Sequence, residues 1–200
     1  MTKLRSMLGS VFLITSATVL GQTGSQAPVI AKSTDGSVAC NLGSLPSDVR
    51  ERLKADFGTW KVQAQESLSE HARKTWEGKK PQACPGIAVG LFQSAKTPSY
   101  AVLLVPVDHP DDGYRFLVFG PKAEQSVYET TVVEKSDDHG ASNYFIRKAS
   151  ISRFFNEESK KKFQVQAADA ILMVDSGETE YEADLYFWSN GRFQQQPVDE

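Results

Sequence analysis

Past the first 20 residues, the chain has no apolar run long enough to cross a bilayer, which takes about 20 apolar residues in succession. It also lacks a Gly-x-Ser-x-Gly elbow, a glycine-rich phosphate loop and a His-Glu-x-x-His pair. Those are the short signatures that announce an exposed nucleophile, a bound nucleotide or a catalytic zinc. Basic residues do not cluster: the only basic run is Lys160-Lys161-Lys162, and a solvated helix face accounts for it. Phosphate binding rests on grouped Lys and Arg, so nucleic acid is not expected as a partner. No internal repeat is present. A Ser-His-Asp group assembled by the fold stays open, because such groups are recognised by geometry and not by sequence position. His71 does not supply one with its neighbour Glu70, since adjacent residues on a helix do not face each other.

Cysteine is nearly absent too. Cys40 and Cys84 are the only two, and neither has a histidine or second cysteine at metal-ligand spacing. In an oxidising compartment such a pair becomes a disulfide. The 44-residue separation gives about 4 kcal/mol of stabilisation in the chain-entropy model.

The N-terminus explains why an oxidising compartment is expected. Lys3 and Arg5 precede an uncharged run from Met7 to Leu20, too short to span a bilayer but matched to the apolar core of a secretory signal. Small residues allow cleavage after residue 21 or after residue 27, and no cysteine follows to carry a lipid. The expected organisation is a signal over residues 1–21, a polar flexible lead-in over 22–44, and one domain over 45–200. Without the signal, 20 basic side chains face 25 acidic ones, a balance of −5. The mature protein is thus expected to be periplasmic or extracellular and soluble, with no membrane span.

Periodicity supplies the fold class. Residues 45–57 read as a helix, with Pro46 and Asp48 suited to its first turn and Val49, Leu53, Phe57 and Trp60 on one face. Residues 65–76 read as a second helix, with Leu68, Ala72 and Trp76 at steps of four. From residue 87 onward, strands are expected over 87–92, 100–107, 114–119, 127–134 and 143–147. An irregular or helical crossing over 151–168 precedes strands over 170–175, 180–188 and 193–196. The short gaps favour antiparallel neighbours, and Asn190-Gly191 is a strong hairpin signal. The expected class is α+β: N-terminal helices packed on a mostly antiparallel, meander-rich sheet in a single domain.

Two sets of residues are candidates for function. Turns 108–113 and 137–140 hold Asp108, His109, Asp111, Asp112, Asp137, Asp138 and His139. Alternate turns of a meander fall at one end of a sheet, so these two are expected as neighbours able to hold a divalent metal. Asp and Gly also suit turns for backbone reasons alone. The second set lies on the strand over 180–188, where a period of two puts Glu180, Glu182, Asp184, Tyr186 and Trp188 on one side. Asp175 joins them across the ladder and Phe193 faces Trp188. Such an acidic-aromatic face suits a cationic protein or a polar ligand such as a sugar. The leading expectation is a non-enzymatic binding or inhibitor module without a cofactor. The alternatives are a metal-assisted hydrolase at the two turns and a structural envelope component.

Overall fold

The computed structural model describes residues 40, 42–79, 84–122, 128–177 and 181–199; the expected signal and most of the lead-in lie outside them. Helix α1 (Ser47–Asp56) leads into a three-residue strand β1 (Trp60–Val62), and α2 (Glu70–Gly78) follows a short 3-10 turn. Then come β2 (Ile87–Gly90), β3 (Ser99–Pro106), β4 (Tyr114–Pro121) and β5 (Tyr128–Ser136). Strand β6 (Tyr144–Ser150), helix α3 (Glu157–Lys162), β7 (Asp169–Ser176), β8 (Tyr181–Ser189) and β9 (Arg192–Val198) complete the order. The second helix begins five residues later than its apolar spacing implies, because Ser69 caps it by accepting from the Ala72 N–H at 3.2 Å. A serine oxygen there satisfies one of the donors that a first helical turn leaves free.

The strands form two antiparallel sheets, where the sequence pattern implies one. The first has β1, β3, β4 and β5 side by side, with β2 also paired to β3. The second is a meander of β6, β7, β8 and β9. Long β3 receives both short strands along one edge, β2 against its first half and β1 against its last residues. Apolar composition explains the division. Strands β3 and β7 are apolar on both faces, so each sheet must be covered twice, and the helices are too few and too short to do so. One face of each sheet therefore packs on the other sheet. Ala101, Leu103, Val105, Phe116 and Val118 meet Ile146, Ile171, Met173 and Tyr186 in that middle layer.

The outer faces carry the helices. Val49 and Leu53 of α1 share a buried cluster with Val102, Leu104, Leu117 and Phe119 of the first sheet. Leu68, Ala72 and Trp76 do the same with Phe145, Leu172, Leu185 and Phe187 of the second. The disulfide joins Cys40 to Cys84 and borders the α1 cluster. Fully buried Gln63 ties the layers together: its backbone N–H donates to the Leu103 carbonyl and its Nε2 donates to the Ala141 carbonyl at 2.6 Å.

Two details of the hairpins matter for the site. The β8–β9 turn runs through Asn190 and Gly191 at φ 52° and 77°, the positive values that this turn requires. Between β7 and β8, Val174 pairs with Ala183 and Asp175 with Glu182. The connection is two residues longer than the tight turn implied by Gly177-Glu178. A shift of two leaves every side chain on its expected face.

Candidate functional site

The two aspartate-rich turns do meet. A Cβ on Gly140 would lie 2.3 Å from the Asp111 Cα and 2.7 Å from the Pro110 oxygen, so only glycine permits that approach. Their side chains do not converge. Asp137 forms an ion pair with Arg115 and lies 4.0 Å from the Lys135 ammonium. Asp108, His109, Asp111 and Asp112 are exposed. Among the described residues, no three or more His, Cys, Asp and Glu side chains gather as a metal ion requires. The Ser136 hydroxyl lies 2.8 Å from His139 Nδ1 and 3.2 Å from Asp138 Oδ1, which superficially resembles a nucleophile with its base. That oxygen already accepts the backbone N–H groups of Asp138 and His139, at 3.3 and 3.1 Å. Ser136 is 5% exposed. It closes the turn.

The acidic-aromatic side of β8 is turned toward the first sheet. Tyr186 is buried in the middle layer, Asp184 and Trp188 are half-buried, and Glu182 is exposed. Phe193 pairs with Trp188 as expected, their rings meeting edge to face with centroids 5.1 Å apart. Glu180 lies outside the described residues. Between the two sheets, Glu182, Asp184 and Tyr186 line a cleft of about 90 Å³ together with Glu134, Tyr144, Met173 and Asp175.

Glu134 reaches this cleft through a β-bulge. Leu117 pairs with Val132 but Phe116 pairs with Glu134, which leaves Val133 as the extra residue. Plain alternation from Thr131 would place Val133 inward and Glu134 outward. The inserted residue reverses that for Glu134, a known use of bulges. The carboxylate then accepts hydrogen bonds from two phenols, Tyr114 on Oε1 and Tyr186 on Oε2.

The electrostatics are one-sided. Four carboxylates (Glu134, Asp175, Glu182 and Asp184) line the cleft, and no Lys or Arg does. Among the described residues, none of the four has an ion-pair partner, and Asp175 Oδ1 is a buried oxygen with no hydrogen-bond donor. Burial and the Glu134 carboxylate push the Tyr114 and Tyr186 phenols well above their ordinary range. Burial and the neighbouring Asp175 carboxylate push Tyr144 up to about 12. All three therefore remain neutral donors at physiological pH. A negative, partly desolvated recess of this kind attracts cations more strongly than an open surface does.

A larger groove adjoins it at the β8–β9 end. It is lined by Tyr181, Glu182, Ala183, Asp184, Gln195, Pro197, Val198 and Asp199 and has a volume of about 700 Å³. Glu182 and Asp184 belong to both.

Sequence reasoning placed Glu182, Asp184, Tyr186 and Asp175 on one face and missed Glu134, Tyr114 and Tyr144. The latter three come from the partner sheet or from the strand beyond β7. No local pattern marks them. No family model, curated protein or solved structure matches the chain.

Proposed function

We propose that this protein is a non-enzymatic binding module, working outside the cytoplasm, that receives a basic side chain of a protein partner in its acidic cleft. The observation that carries this reading is a single cleft lined by four carboxylates and two neutral phenols, with a third phenol bonded to Glu134 and no basic side chain in the lining. Like charges drawn together out of water repel one another, and a cation placed among them relieves that cost. The cleft's volume suits one ammonium or guanidinium head group, and the adjoining groove gives the rest of a peptide somewhere to lie. The carboxylates line the walls without gathering at the roughly 2.0 to 2.6 Å ligand distances of a hard metal ion, which favours an organic cation. The Cys40–Cys84 bridge supports an oxidising compartment, where such bonds persist.

Calorimetry with short oligo-lysine and oligo-arginine peptides tests the reading. The expected result is saturable binding that falls at least tenfold in the Glu182→Gln/Asp184→Asn double variant, while an oligo-glutamate peptide does not bind. Equal binding by wild type and double variant, or none by wild type, would remove the basis for it. A structural envelope role predicts the latter outcome.

A further inference from the structure

The opposite end of the inter-sheet space holds a second, chemically different groove of about 480 Å³. Its walls come from the segment after β2 (Gln93, Ser94), the end of β4 (Gly120, Pro121), β5 (Glu129, Thr131) and the β8–β9 hairpin (Trp188, Gly191, Arg192). The Trp188 ring is half-buried and braced edge to face by Phe193. Gln93 occupies the space that a side chain at position 120 would need: a Cβ on Gly120 would fall 1.3 Å from its Oε1. Glycine at 120 is therefore what lets the amide sit in the groove. Among the described residues, the side chains of Gln93, Glu129, Thr131, Trp188 and Arg192 have no hydrogen-bond or ion-pair partner. Five polar groups thus face one recess with their bonding capacity unspent.

We infer that this groove is a binding site for a neutral saccharide, with Trp188 stacking on the sugar ring and Gln93, Glu129 and Arg192 bonding its hydroxyls. Charge, shape and volume all point to that class. Glu129 and Arg192 cancel, so the lining favours neither an anion nor a cation, unlike the acidic cleft. An indole offers a flat apolar face with a polar tip, and a pyranose ring offers a matching face of C–H bonds. Amide, carboxylate and guanidinium are planar groups that engage two adjacent hydroxyls at once. The volume lies within the roughly 300 to 1,000 Å³ typical of small-ligand sites. The inference does not depend on the acidic cleft, which lies at the other end of β8.

The test is saturation-transfer NMR with titration of cellobiose, maltose and diacetylchitobiose, and of free glycine and arginine as zwitterionic controls. At least one disaccharide is expected to bind, with Trp188→Ala weakening it tenfold or more and Arg192→Ala and Glu129→Gln severalfold. Gly120→Ala should also weaken it by expelling the Gln93 amide, and Glu182→Gln/Asp184→Asn should leave it unchanged. Arg192 and Glu129 are exposed, so those variants keep the test valid if Trp188→Ala misfolds. Three outcomes would each overturn the inference: no disaccharide binding, binding indifferent to Arg192→Ala and Glu129→Gln, or binding of the zwitterions alone.

Discussion

At the scale of single residues, two half-buried phenols, Tyr144 in the middle layer and Tyr128 against the α1 cluster, make the clearest prediction. Tyr144 and Tyr128 are both pushed up to about 12, in each case chiefly by burial. In the unfolded chain a tyrosine ionises near pH 10. Below that pH both states hold the proton and the contribution to stability is complete. As pH rises from about 10 toward about 12, the unfolded state releases the proton first and the folded state loses its advantage. Melting temperature should therefore hold steady to about pH 10 and then fall. Replacing Tyr144 with Phe should make that fall shallower, as thermal scans across the range would show.

At the scale of elements, two features that hold the site can be tested separately. The disulfide closes a loop of 44 residues that contains α1, β1 and α2. Reducing it should cost about 4 kcal/mol by the chain-entropy model, read as a lower urea midpoint for the Cys40→Ser/Cys84→Ser variant. The β5 bulge positions Glu134. Deleting Lys135 restores simple pairing with Val133 opposite Phe116 and Glu134 opposite Arg115, which turns Glu134 away from Tyr114 and Tyr186. The expected result is a folded protein whose affinity for oligo-lysine falls several-fold, with the loss of both phenol contacts visible in the tyrosine signals of an NMR spectrum. A stronger wild-type-like complex would mean that the bulge does not aim the carboxylate.

For the whole molecule, two stacked sheets create recesses at both ends of the layer between them. One is anionic and the other neutral and aromatic. Binding at the acidic end rests on charge, so raising salt from 50 to about 300 mM should lower the association rate for oligo-lysine much more than the dissociation rate. Stopped-flow measurements would separate the two. Saccharide binding at the Trp188 end should barely respond, because its lining carries no net charge.

Sequence alone determined whatever depends on neighbours along the chain. The step-of-four apolar residues Leu68, Ala72 and Trp76, the alternation that puts Glu182, Asp184, Tyr186 and Trp188 together, and the Asn190-Gly191 turn are all local patterns. Each survives because a helix face or a strand face is fixed by covalent spacing. Only the tertiary structure decided that the strands divide into two sheets, since that choice turns on how much apolar surface must be covered and by what. It also decided the bulge at Val133, a single-residue register change with no mark in the sequence. Glu134 and Tyr114 meet Tyr186 because two faces of different sheets are pressed together. Such contacts join residues up to 52 positions apart, beyond the reach of any local period.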